Sequence, residues 1–315
     1  MGGGYRRLRR LGLATAIAAG SIAGAAAADA VAAPRPVPAW YVTSASTATA
    51  YNHGCDTGRA HLRGLVALFL GGPQGSQGTI LVFTNQSVSL KDDAAVARAF
   101  ARGYVRCLSK RYRDAGYRIV LSLNTNNSTG SSNVGFESGR AWGKTVKAVG
   151  AYVARKKLSR HVRVAGGSDL EPGFGPPGPA RAYVRGFTSA TRALFYNTGS
   201  SDGCPPAPVA GDGMCAGGWH QSDLYYVSWG RRGTRALPEI YVPDHPKQWA
   251  LISRLGASAS KRGKIVFSGV LSQHRRSASS FTADAAWNAL RDALSQYPST
   301  SQRRLAYSTY LNEAW

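Results

Sequence analysis

The sequence predicts an α/β fold: a (β/α)8 barrel of the TIM type, irregular in places and held by two disulfides. Three observations carry this. Short apolar runs alternate with stretches of helical spacing from Leu65 onward, eight such runs can be counted, and they are too short and too numerous for an all-helical chain. Strands alternating with helices argue for a parallel sheet, and eight units argue for its closure into a barrel. An open doubly wound sheet is the alternative.

Residues 1–33 read as a leader rather than as fold. Arg6, Arg7, Arg9 and Arg10 form a basic start, Leu11 to Ala28 is an apolar, Ala-rich stretch, and Ala30-Val31-Ala32 has the small-x-small form of a cleavage site. Arg9-Arg10-Leu11-Gly12-Leu13 also fits a twin-arginine export signal loosely. No later stretch is apolar enough to span a bilayer, so no membrane anchor is expected after cleavage. Residues 34–63, with Pro34, Pro36 and Pro38 ahead of a Ser/Thr/Ala run, read as an irregular segment, and residues 64–315 as a single barrel domain.

Within that domain Leu65–Leu70 is a continuous apolar run closed by Gly71-Gly72-Pro73, the pattern of a buried strand. Thr79–Phe83 is a shorter candidate left out of the eight. Val96, Phe100, Tyr104 and Leu108 fall on one helical face that stops at Gly116. Tyr117–Leu123 is the next strand, 136–157 a helix, and Val162 opens the strand on which the reading turns. A helix over 180–191 and a strand over 193–197 follow. Strands are expected over 224–229 and 239–242, a helix over 248–255, a strand over 265–271, a helix over 283–297 and a last strand over 305–308.

Four cysteines in an exported chain imply two disulfides. Cys204 and Cys215 flank a short Gly/Pro-rich loop and are the natural local pair, leaving Cys55 to Cys107. No C-x-x-C or H-E-x-x-H spacing occurs, so no metal and no cofactor is expected. The formal net charge is +23, and removal of the leader, with four Arg and Asp29, leaves about +20. Such a charge favours anionic company: phosphate-rich wall polymers, acidic polysaccharide, anionic lipid or nucleic acid. Nucleic acid is the weakest of these, for no Lys/Arg stripe interleaved with aromatics marks a site.

The run VRVAGGSDLEPGFG, residues 162–175, carries the chemistry. If the strand continues to Glu171, its period of two places Asp169 and Glu171 on one face at the carboxyl end, where a barrel keeps its active site. The other strand exits supply Asn124, Asn126, Tyr196, Asn197, Trp229, Glu239, Tyr241 and Gln273, a mixture of amide, carboxylate and aromatic groups suited to sugar hydroxyls and ring faces. The expected roles are catalytic for Asp169 and Glu171 and substrate-binding for the other eight. In this scheme Glu171 is a general acid whose pKa is raised by burial and by Asp169 beside it, while Asp169 assists. A competing motif, Gly199-Ser200-Ser201-Asp202-Gly203, fits the G-x-S-x-G nucleophile elbow. The elbow needs a helix directly after it, which Cys204-Pro205-Pro206 forbids.

The strand-borne D-x-E resembles the signature of glycoside hydrolase family 25 muramidases. The ordered series GGSDLEPGF, FYNTGSSDGCP, YYVSWG, PEIY with QWALI, and FSGVLSQ is similar to a group of exported actinobacterial proteins with glycosidase-like barrels. That likeness spans roughly residues 64–310. Only Asp169 and Glu171 map onto the muramidase motif, and the group's final Ser-Thr-Asp reads Ser308-Thr309-Tyr310 here. The resulting expectation is a secreted, monomeric, glycoside hydrolase-like protein acting on cell-wall or environmental polysaccharide. The alternative is a non-catalytic barrel that adheres to an anionic wall polymer through its basic surface.

Overall fold

The computed structural model describes residues 1–2, 31–127, 133–273, 281–312 and 315; the expected leader, residues 3–30, lies outside the described residues. Among the described residues no helix is long and apolar enough to cross a membrane. Residues 33–315 form one unit. Its strands are β1 (Val37–Tyr41), β2 (Gly64–Phe69), β3 (Gly72–Gln74), β4 (Gly78–Ile80), β5 (Ser87–Ser89), β6 (Ile119–Thr125), β7 (Val162–Ser168), β8 (Phe195–Asn197), β9 (Thr234–Ala236), β10 (Gly269–Ser272) and β11 (Tyr307–Asn312). The helices are α1 (Thr47–Arg59), α2 (Leu90–Cys107), α3 (Lys110–Asp114), α4 (Phe136–Arg155), α5 (Pro177–Ala190), α6 (Gln221–Tyr225), α7 (Asp244–Ala259) and α8 (Ala283–Ser295).

Eight strands pair in parallel in the order β10-β11-β1-β2-β6-β7-β8-β9. The sheet closes where the chain after β9 meets β10: Ser268 N–H donates to Ala236 O, Leu271 N–H to Pro238 O and Ile240 N–H to Leu271 O, at 2.8–2.9 Å. The fold is therefore an α/β barrel of the TIM type. β3, β4 and β5 form a separate antiparallel sheet inserted between β2 and α2, and this is where the Thr79 run belongs.

The alternation of each strand sorts its side chains between two cores. Ala39, Leu65, Ala67, Phe69, Ala165 and Leu271 fill the barrel interior, while Val66, Leu68, Leu121 and Leu123 face the helices outside. Local signals set the helix starts. Ser46, Ser89 and Thr282 each accept a hydrogen bond from the backbone N–H three residues on, and Pro177 opens α5. Helices pack through glycine: a Cβ on Gly103 would stand 2.0 Å from Tyr51 O, so α1 and α2 touch backbone to backbone. The Cys55–Cys107 disulfide ties the same two helices, and Cys204–Cys215 closes the other loop.

Several sequence expectations need correction. The segment 34–63 is not irregular but contains β1 and α1. Residues 224–229 are not a strand: they fall in α6 and in a π-helical turn, Tyr226–Gly230. The seventh strand in the sheet order from β11 is instead the three-residue β9, and 239–242 follows it as extended chain with one bridge, Glu239 to Leu271. The strand expected over 265–271 begins only at Gly269, and the one expected over 305–308 runs on to Asn312. The total of eight survives because two missed strands replace two that do not form.

Candidate functional site

β7 ends at Ser168, before the two acids, yet the chain remains pinned in extended form beyond it. Asp169 N–H donates to Thr125 O, and Leu170 N–H donates to Asn197 Oδ1 at 3.1 Å. Leu170 therefore packs outward into the helix-facing core, and Asp169 and Glu171 are left buried at the barrel's carboxyl end. Glu239, three residues past β9, arrives beside them. One carboxylate oxygen from each of Asp169, Glu171 and Glu239 lies within 4.8 Å of the others.

The three carboxyls share a burial problem but not a solution. Burial raises the pKa of all three; the negative charges of Glu171 and Glu239 raise Asp169 further, and Glu171 raises Glu239. Glu171 alone is well supplied with donors: Asn127 Nδ2–H reaches Oε1, and Ser200 N–H reaches Oε2 at 2.6 Å. Hydrogen bonds to a carboxylate favour its ionised form, and they oppose the burial of Glu171. Asp169 Oδ1 is buried without a hydrogen-bond partner. Asp169 and Glu239 therefore hold protons to higher pH, and Glu171 is the member most readily ionised.

The Ser200 N–H is placed by the loop that looked like a nucleophile elbow. Gly199 lies so close to the acid-bearing segment that a Cβ there would stand 2.5 Å from Leu170 O. Ser201 Oγ donates to Gln248 Oε1, and Gln248 Nε2 donates to Cys204 O, so Ser201 has no histidine partner and serves to anchor the loop. Asp202 accepts from His245 Nε2 at 3.0 Å, while Tyr241 N–H donates to His245 Nδ1. An Nδ1 that accepts carries no proton, which fixes His245 as the Nε2–H tautomer. That donor, ahead of any other cause, holds Asp202 below its usual range, so the ionised Asp202 adds negative potential to the three acids.

The other sequence-selected residues divide. Asn126 lines a cavity with Asp169, Glu171, Phe174 and Trp219. Tyr241 stands near Glu239, whose charge raises its pKa behind burial itself. Gln273 follows β10 and is half-buried. Asn124 is turned into the barrel, accepting from Ser122 Oγ and donating to Thr198 Oγ1. Asn197 spends its amide on Leu170 N–H, Gly199 N–H and Ser228 Oγ, so it holds the acid-bearing loops rather than a ligand. Tyr196 lies at the amino end of the barrel, close enough to Tyr307, Arg163 and Arg235 to feel their charges. Trp229, on the π-helical turn, carries Arg235 and Arg262 over its ring at 5.1 and 5.0 Å and is away from the acids. Asn127, Ser200, Asp202 and His245 were not selected from sequence. Asn127 adjoins the flagged Asn126, Ser200 and Asp202 lie in the Gly199–Gly203 stretch, the false nucleophile elbow, and His245 lies in the first turn of a helix with no motif of its own.

Three hard oxygen donors so close together are also the kind of set that suits Ca2+ or Mg2+. Against a cation, both oxygens of Glu171 already accept N–H donors. The cavity beside Asp169 and Glu171 has a volume of about 20 Å3, room for a water molecule.

No protein-family model matches the chain, and no curated protein matches it. Solved structures align with it at low identity. The homocysteine methyltransferase MmuM from Escherichia coli is 9% identical over 86% of this chain and 84% of its own, with a TM-score of 0.45. The C-terminal domain of ChiA from Legionella pneumophila is 11% identical over 88% and 92%, with a TM-score of 0.38. The β-mannanase of the blue mussel Mytilus edulis is 10% identical over 85% and 79%, with a TM-score of 0.40.

Proposed function

We propose that the protein is an exported glycoside hydrolase-type enzyme that cleaves polysaccharide at the carboxyl mouth of its barrel. One observation carries the reading: two of the sequence-selected acids, Asp169 and Glu171, meet there in opposite hydrogen-bonding environments. Glycoside hydrolysis needs a carboxylic acid to protonate the leaving oxygen and a carboxylate to stabilise or attack the sugar cation. The donor pattern reverses the roles expected from sequence. Asp169, whose buried Oδ1 has no hydrogen-bond partner, is held neutral and is the proton donor; Glu171, held by Asn127 and Ser200, is the carboxylate. The ionised Glu171 keeps the proton on Asp169, and Glu239 is a third buried acid held neutral in the same way. One oxygen of each acid lies within 4.8 Å of the others, well inside the roughly 6.5–9.5 Å separation of an inverting pair, which favours the retaining arrangement. The disulfides fit an oxidising destination.

The test is release of reducing ends from purified cell walls, chitin and plant glycans. Glu171→Gln and Asp169→Asn are each expected to lower turnover by about 100-fold or more, with melting temperatures no lower than the parent's. Parental turnover in both variants would refute the assignment. A second reading has the water-sized cavity in its favour: a non-catalytic carbohydrate-binding barrel. Silence across the panel, with retention on one of its polymers that survives both substitutions, would establish that instead.

A further inference from the structure

The charges of this barrel are sorted end from end. The seven connections that lead from helix to strand, into β2, β6, β7, β8, β9, β10 and β11, carry sixteen Lys and Arg and a single acid, Asp114. The connections at the opposite end carry five acids, Asp169, Glu171, Asp202, Asp212 and Glu239, against two arginines, Arg275 and Arg276, which lie outside the described residues. In a barrel all helix-to-strand connections share the amino end, so the basic ones form one face.

That face has a focus. Thr188, Thr191, Arg192, Arg231, Arg232 and Arg235 line a cavity of about 630 Å3 between α5 and the start of β9. Arg192 and Arg232 are exposed. None of the four arginines pairs with a carboxylate among the described residues; Arg231 donates to Thr188 Oγ1 and Tyr226, and Arg235 to Thr234 O. Burial pushes the Arg235 guanidinium below its usual pKa, and the charges of Arg262 and Arg163 add to the effect. Like charges gathered without a counter-ion are a standing repulsion that a bound anion relieves.

From the sorted charges and this cavity we infer that the amino face binds a flexible phosphodiester polymer without bases, seated on Arg192 and Arg232. Guanidinium forks suit phosphate, and a tetrahedral phosphate has oxygens enough for several of them at once. The aromatic rings of the face are already taken. Tyr112 carries Arg111, Tyr117 carries Arg63, Tyr297 carries Arg254, and Trp229 carries Arg235 and Arg262, all within 5.8 Å, so each of these rings already holds a guanidinium where a nucleic-acid base would stack. Val266 is the one large hydrophobic residue exposed on these connections among the described residues, too little to insert into a lipid surface. The acidic mouth points the other way, so a polymer held at this face leaves it open.

Binding of poly(glycerol phosphate) by the purified protein, measured by calorimetry between about 50 and 200 mM salt, tests this. Affinity should fall steeply with salt, and Arg192→Ser with Arg232→Ser should weaken it about tenfold or more. The pair Lys91→Ser with Arg102→Ser removes the same charge from the exposed side of α2 and should change affinity by less than about twofold. Equal weakening by both pairs would overturn the site, leaving only net charge. Tighter binding to an oligothymidylate of matched charge, to polygalacturonate, or to phosphatidylserine–phosphatidylcholine vesicles would overturn the partner. Absence of binding to the polymer at low salt would overturn both.

Discussion

Asp93 offers a quantitative test of the packing. It lies in the first turn of α2, fully buried, with Thr79 Oγ1 donating to its two carboxyl oxygens at 3.2 and 3.1 Å. The helix start and Thr79 both favour the ionised form, but burial outweighs them and lifts the pKa from 3.8 to about 8. In the unfolded chain the same group ionises near 3.8. Between about pH 4 and pH 8 folding therefore takes up a proton, and stability falls as pH rises through that window. From pH 5 to pH 8 the loss assigned to Asp93 works out at roughly 3–4 kcal/mol. Asp93→Asn keeps the shape and an acceptor for Thr79 and removes the titration. Urea unfolding of parent and variant at both pH values isolates the contribution of Asp93, because the other titrating groups cancel in the comparison. The variant should gain most of that amount relative to the parent on moving from pH 5 to pH 8. Parallel pH dependence in the two proteins would show that Asp93 is ionised and solvated, and the reasoning would fail.

The mouth gives further expectations. Gly199→Ala pushes a methyl into Leu170 O and Glu171 Cβ, costs about 1–3 kcal/mol of stability, and lowers turnover by displacing Ser200 N–H from Glu171; unchanged unfolding midpoints would count against the close approach. Chelation with EDTA or addition of Ca2+ should leave the melting temperature unchanged, because Glu171 is satisfied by N–H donors, and a clear rise with Ca2+ would reassign the three acids to a cation. Replacing Cys204 and Cys215 by Ser opens an eleven-residue separation and should cost about 3 kcal/mol in chemical unfolding, an undiminished stability being the contrary result.

What was legible in the sequence follows from where apolar periodicity is unambiguous. β2 and β6 are buried on both faces, β7 is so from Ala165 onward, and all three read as strands at once. β1 hides because Pro38 is its second residue and Pro36 stands directly before it. β9 is Thr-Arg-Ala, with a charged residue turned toward the interior, and nothing in such a triplet signals a strand. The aromatic and β-branched run at 224–229 has strand composition, but its burial follows a helix, the ambiguity inherent in a short apolar run. At the site, the paired acids stand out because carboxylates seldom follow a buried strand. Their hydrogen-bonding environment does not, since Ser200 contributes a backbone N–H, which any residue possesses.

The same separation of charge explains how a chain of this basicity can keep carboxylic acids neutral. A guanidinium within about 4–6 Å of Asp169 or Glu239 would draw the proton off and leave a salt bridge in place of an acid. With +23 formal charges on the sequence, such a contact would be common if the arginines were spread evenly. They are not: the connections around the mouth contribute only Arg275 and Arg276, which lie outside the described residues, and the charges that act on the acids are Asp202 and one another. The His245 contact keeps Asp202 ionised, and an anion at the rim is what raises the buried acids further. Removing the anion at the rim therefore tests the design directly. Asp202→Asn keeps an acceptor for His245 Nε2–H and takes away the negative charge that raises Glu171, and the acid limb of the pH–rate profile should move down. A profile unmoved by the loss of that charge would show that burial alone sets the acids, with Asp202 a bystander.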